Sequence, residues 1–245
     1  MDNVEATAAF TTSSKSINSL LLSNAGAAYS VDNSGNTITL GGSNQAGALL
    51  FTRTAGTGGI TIDGGTLEFN SREAIIYATT GGVTDTITST INNGGGLTKS
   101  GAGTLDLNGS VSNSNIVVNQ GTLAGSGTLI YNISGLTSDQ IVVQGGSTLD
   151  ISSLQFAVSA SDLQVNSYVI ADYNGGTLLG SAFAAPISGM PSGALYSVEY
   201  AAGMNDSQII LDVTAVPEPT ALGLFAGVSL FWLKRRKRTV VQSTK

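Results

Sequence analysis

Short runs of alternating apolar and polar residues fill most of this chain, and turn residues separate them. Residues 37–40 alternate and end at Gly41-Gly42, and residues 84–91 and 104–108 have the same pattern. Alternation places successive side chains on opposite faces of a strand, and β-branched runs bounded by Gly and Asn favour strands. No window of helical length shows a 3.6-residue period before residue 220. The pattern predicts an all-β fold.

A short internal repeat shows how these strands could be arranged. The tripeptide Gly-Thr-Leu recurs with spacings of 18 and 26 between residues 103, 121 and 147, and 127 and 147 are 20 apart. A period near 20 fits one coil of a β-solenoid, in which short strands stack on the next coil and glycine forms the corners. The copies lie at residues 65–67, 103–105, 121–123, 127–129 and 176–178, with the variant Ser-Thr-Leu at 147–149.

One stretch carries a family resemblance. Residues 95–109, GGLTKSGAGTLDLNG, followed by IVVNQGTL at 116–123, resemble one passenger-associated repeat of autotransporter-type β-strand proteins. The match is close over 95–125 and looser over 16–92. The resemblance implies a right-handed parallel β-helix. We therefore expect solenoid coils over 1–92, the repeat over 93–134, and a β-rich module that caps the open end over 135–214.

The last part of the chain has a different composition. Pro217-Glu218-Pro219 precedes 13 uncharged residues, 221–233, and five consecutive cations follow: Lys234, Arg235, Arg236, Lys237 and Arg238. As a helix the uncharged segment would be about 20 Å long, which is short for a membrane span of ~20 residues. Lys and Arg beside an apolar segment stay in the cytoplasm.

This tail, residues 215–238, resembles the PEP-CTERM sorting signal of bacterial exosortase substrates. The resemblance implies a single short transmembrane helix at 221–233, cleavage near Pro217–Pro219 by an exosortase-type membrane protease, and a basic cluster that stays inside. An exported protein needs an entry signal, but Met1-Asp2-Asn3-Val4-Glu5 has no basic n-region. We therefore expect an upstream region, with a signal peptide, that precedes this sequence in the natural protein.

Charge and composition exclude several functions. Residues 1–216 hold four Lys/Arg and fifteen Asp/Glu, a net charge of −11, whereas the whole chain has −6. A cation-poor body is a poor binder of nucleic acid. The chain has no Cys and no His. It therefore lacks disulfides, thiolate and imidazole metal sites, and the triads that depend on His or Cys.

The remaining candidates for chemistry are acidic residues and two arginines. Paired carboxylates could serve glycoside hydrolysis, although each one also fits a solvated outward position between apolar neighbours. Arg53 and Arg72 could act as a lyase base or a substrate clamp, but they also fit surface charges on turns. Asp139, Asp150 and Asp162 are spaced too loosely to indicate a calcium site. The acidic candidates are Asp63, Glu68, Glu73, Asp85 and Asp106.

The main hypothesis is an exported, non-enzymatic β-solenoid of the cell surface or extracellular matrix, with an adhesive or structural role and no cofactor. Its expected partners are the processing enzyme, the membrane before cleavage, and extracellular polysaccharide. One alternative is a polysaccharide-active β-helix enzyme, a lyase or hydrolase. Another is a passenger that remains anchored in the membrane. The function predicted from sequence is thus clearer about destination than about ligand.

Overall fold

A computed structural model describes residues 2–42, 44–92, 95–112, 114–203 and 206–217. Their secondary structure is β throughout, with 26 strands and no α-helix. From β1 to β18 the strands visit three sheets in turn, one strand per sheet in each coil, and neighbouring coils pair in parallel. The chain therefore winds as a three-sided β-solenoid, which confirms the all-β prediction.

Sheet A contains ten strands. Seven are parallel neighbours in the order of the coils, and β23, β26 and β25 complete the sheet. Their bounds are β1 Asn3–Ala6, β4 Ser19–Asn24, β7 Gly47–Arg53, β10 Ala74–Ala78, β13 Leu97–Ser100, β16 Ile116–Val118, β20 Ile141–Val143, β23 Asn166–Asp172, β26 Gln208–Ala215 and β25 Leu195–Ala202.

Sheets B and C complete each coil. Sheet B consists of β2 Phe10–Thr11, β5 Tyr29–Asp32, β8 Ile60–Asp63, β11 Thr84–Ile87, β14 Thr104–Leu107, β17 Thr122–Ala124, β21 Thr148–Asp150 and β24 Thr177–Leu179. Sheet C consists of β3 Lys15–Ile17, β6 Thr37–Leu40, β9 Thr66–Glu68, β12 Thr90–Asn92, β15 Val111–Ser112, β18 Thr128–Gly135 and β19 Thr137–Ser138, and β22 Gln155–Leu163 pairs with β18.

The Gly-Thr-Leu repeat marks strand starts on two different faces. Thr104, Thr122, Thr148 and Thr177 are consecutive register partners in sheet B, and the leucines that follow them form one inward row. The copies at 65–67 and 127–129 instead begin strands of sheet C. The spacing of 20 between 127 and 147 therefore does not measure a coil. Coils vary from 16 residues, Asn3 to its partner Ser19, to 30, Ile141 to Ala171.

One hydrophobic core runs along the inside of the solenoid. Inward rows of Leu, Ile and Val from the three sheets meet there, and most of these side chains are fully buried. No single coil could bury such a row alone, so each coil depends on its neighbours.

The end of the solenoid beyond β24 is closed by antiparallel strands and aromatic side chains. β26 pairs antiparallel with both β23 and β25. The rings of Tyr131, Phe156, Phe183 and Tyr200 follow one another at centroid distances of 4.8, 5.2 and 6.0 Å. Residues 135–214, expected from sequence to form an end module, thus contain both further parallel strands and this closure.

Candidate functional site

The predicted sorting motif begins where the described fold ends. β26 ends at Ala215, Val216 packs against the core, and Pro217 is exposed. Glu218, Pro219, the segment 221–233 and the basic cluster 234–238 lie outside the described residues. The described part of the chain has no helix with the length and apolarity that a membrane crossing needs.

A polar groove on the outer face of sheet B brings two carboxylates near each other. Asp106 on β14 and Asp150 on β21 are separated by one strand, β17, where Ala124 is the partner of Asp106. At ~4.8 Å per strand their backbones are about 10 Å apart. The groove has a volume of about 380 Å³. Its lining residues are Asp106, Asn108, Ala124, Gly125, Ser126, Asp150, Ser152 and Ser153.

The two carboxylates have different surroundings. Partial burial, and secondarily the charge of Asp150, raise the pKa of Asp106. Asp150 accepts hydrogen bonds from Ser152, 3.0 Å from its amide and 2.6 Å from its hydroxyl. Asp106 therefore holds a proton more readily than an ordinary aspartate. The sequence predicted its outward position correctly, because Leu105 and Leu107 on either side of it are buried.

Asp85, interpreted from sequence as a solvated position, is fully buried. Its side chain occupies the inward row of sheet B, where its register partner is Leu105. It forms an ion pair with Arg53, whose side chain is only 2% exposed, so the assignment of Arg53 as a surface charge was also wrong. Asp85 also accepts the amide hydrogen of Ile60 at 2.9 Å. Arg53 Nε donates to the carbonyl of Gly58 at 2.8 Å.

The other acidic candidates are dispersed and reach solvent. Asp63 and Glu73 are exposed and Glu68 is half-buried. Asp63 accepts a hydrogen bond from Thr88 Oγ1 at 2.6 Å, and Glu73 accepts one from Thr98 at the same distance. Arg72 is exposed and donates to Asn44 Oδ1 at 3.2 Å. Neither arginine therefore lies in the Asp106–Asp150 groove.

Lys99 is a charged residue that the sequence interpretation overlooked. It lies in the inward row of sheet A between Ile76 and Val118 and is fully buried. Its ammonium donates to the carbonyl oxygens of Ser100, Gly101 and Gln120, at 3.2, 2.5 and 2.7 Å. Three acceptors satisfy all three ammonium hydrogens, so this lysine joins the corners of two coils.

Strand parity was the signal that could have identified both buried charges. Within β11, Asp85 has the same parity as buried Ile87, and within β13, Lys99 has the same parity as buried Leu97. Side chains two apart in a strand share a face. Reading the alternation strictly would therefore have placed both charges inside, despite the cost of burying them.

The stability of the fold should depend on the protonation of Lys99. Burial lowers the pKa of Lys99 to about 8, and the charge of Asp85 opposes this. An unfolded lysine has a pKa near ~10.4, so above pH ~8 the unfolded chain binds the extra proton and stability rises with pH. From about pH 7.5 to 9.5 the free energy of unfolding should rise by about 1–2 kcal/mol more than in Lys99→Met. Urea unfolding measures this difference.

A matched control for this pH dependence is Lys15→Met, which removes an exposed lysine of β3. It should retain the rise with pH, because Lys15 is solvated in both the folded and the unfolded state. If Lys99→Met and the parent chain change equally with pH, then Lys99 is not responsible.

Metal ligation and similarity to known proteins add no further assignment. Among the described residues, no group of three or more His, Cys, Asp or Glu side chains is placed to hold a metal ion. No family model, curated protein or solved structure matches this chain.

Proposed function

We propose that this chain is an exported, non-enzymatic β-solenoid of the cell surface or extracellular matrix, with an adhesive or structural role. The solenoid is right-handed, as almost all parallel strand crossovers are. The observation that carries the proposal is the position of the three-part tail. Pro-Glu-Pro starts two residues after the last strand of a closed fold, and its first proline is exposed.

The tail determines where the protein goes. Residues 221–233 form a short transmembrane helix, and Lys234 to Arg238 remain on the cytoplasmic side. An exosortase-type membrane protease cleaves near Pro217–Pro219, and the folded body is released to the surface or the matrix. An exposed Pro217 at the end of a packed strand suits such a protease, because the enzyme can reach the motif without unfolding the body.

The body suits a structural role because it is extended, acidic and internally supported. Residues 1–216 have a net charge of −11, which favours solubility outside the cell. The stacked coils share one continuous core. Extracellular polysaccharide is the partner we expect for the polar outer faces.

Changing Pro217, Glu218 and Pro219 to alanine should block processing in a native host. The mature surface protein should lack residues 221–245, whereas the variant should keep them and stay in the membrane fraction. Intact-mass spectrometry and a search for peptides containing Trp232 measure this. The matched control is the pair Pro186→Ala and Pro191→Ala, which changes the only other prolines, both exposed.

Two outcomes of the processing experiment would contradict the proposal. Trp232 peptides in the mature surface fraction of the unaltered protein would show that the tail is kept. Unchanged size and location after the alanine substitutions would favour a passenger that stays anchored through residues 221–233.

A second candidate function, a polysaccharide hydrolase, rests on the groove of Asp106 and Asp150. Inverting glycosidases hold their two carboxyl groups ~6.5–9.5 Å apart, one protonated and the other ionised. The raised pKa of Asp106 suits the acid, and Asp150 would be the base. Turnover of neutral or acidic glycans that is lost in Asp106→Asn and in Asp150→Asn, but not in Asp63→Asn, would replace the structural role.

A further inference from the structure

The outer face of sheet A is apolar over six neighbouring strands. Its outward side chains form two rows of register partners, one from Leu21 to Tyr77 and the other from Ala48 to Val142. We call this surface the sheet A stripe. It consists of Leu21, Ala48, Leu50, Ile75, Tyr77, Thr98, Val117 and Val142.

The side chains of the stripe point away from the core. Seven of them are half-buried, as in-register outward neighbours are, and Tyr77 is 43% exposed. None belongs to the buried core or to the partly buried apolar residues that pack against it. Apolar patches of a few hundred Å² on a protein surface mark interaction sites.

The other two outer faces have a different composition. Sheet B presents the row Thr84, Thr104, Thr122, Thr148 and Thr177, and beside it Asp106 and Asp150. Sheet C presents Thr37, Thr66 and Thr90 in register, with Glu68 paired to Asn92. Apolar outward residues on these faces are few, so the stripe is a property of one sheet.

We propose that the sheet A stripe binds a second copy of this chain, with two stripes packed face to face about a two-fold axis. Charge favours this partner. The body carries −11 over residues 1–216, so two copies repel each other through most of their surfaces. The stripe contains no charged residue, so the two bodies can approach there without juxtaposing like charges. The stripe also contains few hydrogen-bonding groups, which disfavours a glycan as its partner.

The size of the stripe indicates how strong this contact is. Six strands at ~4.8 Å spacing and two outward positions per strand give a footprint of about 350 Å² per copy. Two copies would bury about 700 Å², less than the ~1,200–2,000 Å² of stable interfaces. The dimer is therefore weak in dilute solution, and it forms mainly where copies are concentrated, as on a surface or in a matrix. An isologous contact also closes after two copies.

The test uses the full chain in detergent micelles and introduces charge into the stripe. Analytical ultracentrifugation should detect a monomer–dimer equilibrium in the unaltered chain, and Leu50→Asp with Ile75→Asp should weaken it at least tenfold. The matched control, Thr61→Asp with Thr86→Asp, adds the same charge to outward positions of sheet B in the same two coils. It should leave the dissociation constant nearly unchanged.

Cross-linking provides a second, independent measurement, because the chain has no cysteine. Tyr77→Cys, on the exposed centre of the stripe, should form disulfide-linked dimers on mild oxidation. Thr86→Cys, on the outer face of sheet B, should form at least tenfold less. Circular dichroism confirms that each variant keeps the β fold.

Three outcomes would overturn the proposal. The first is a monomer at every concentration. The second is dimerisation that persists in Leu50→Asp with Ile75→Asp, which would place the contact elsewhere, such as residues 221–233. The third is a monomer whose Trp232 emission shifts to the blue only when the stripe is intact. That result would mean that the chain's own segment 221–233 covers the stripe.

Discussion

Asp85→Ala is expected to lower the free energy of unfolding by about 3–5 kcal/mol, the usual cost of removing one partner of a buried ion pair. The substitution leaves the Arg53 guanidinium, which is 2% exposed, without its counter-ion. It also leaves the amide of Ile60 without its acceptor. Equilibrium unfolding in urea, monitored by circular dichroism, measures the loss.

Two controls separate the ion pair from a general effect of removing a carboxylate. Glu199→Ala removes an exposed carboxylate on β25 and should change stability by less than about 0.5 kcal/mol. Arg53→Met combined with Asp85→Leu should recover most of the loss, because apolar residues of similar volume often replace a buried pair without cost. A loss below about 1 kcal/mol in Asp85→Ala would mean that the pair is solvated.

Gly121→Ala is expected to destabilise the fold by about 3 kcal/mol, and the loss has two parts. Gly121 has φ +72°, a left-handed conformation that costs other residues about 1–2 kcal/mol. A Cβ there would lie 2.4 Å from the carbonyl oxygen of Gly101 and 2.7 Å from Lys99 Nζ. Forcing an extra carbon into a packed corner costs a further ~1–3 kcal/mol. Urea unfolding gives the sum.

Gly82→Ala separates the two parts of this loss. Gly82 has φ +73°, almost the same as Gly121, but a Cβ there would meet nothing within 4 Å. It should therefore cost about 1–2 kcal/mol, from the backbone conformation alone. Equal losses at the two positions would mean that the stacked corner is not tightly packed.

The same corner shows why glycine precedes threonine and leucine in the repeat. Gly103 and Gly121 begin consecutive coils, and Gly121 lies against the carbonyl oxygens of Gly101 and Gly103. Coils stacked at strand spacing leave no room there for a side chain. The repeat was therefore visible in the sequence for a steric reason, and the row of Thr104, Thr122 and Thr148 could be anticipated from it.

The buried charges were harder to predict. Arg53 and Asp85 are 32 residues apart in sequence, and nothing local indicates that they meet. Asp85 is one of several Asp and Glu in similar contexts, and most of the others reach solvent. The Asp106–Asp150 groove could not be predicted either, because it depends on which strand separates the two residues.

The sequence alone determined the all-β class, the inward and outward positions within each strand, and the three-part tail. These features depend on two-residue alternation and on contiguous composition, which are local properties. The tertiary structure decided which coils meet in register, that Arg53, Asp85 and Lys99 are buried, and that the apolar outward residues gather on sheet A. Coils range from 16 to 30 residues, so register depends on how each corner folds, and contacts between coils set it.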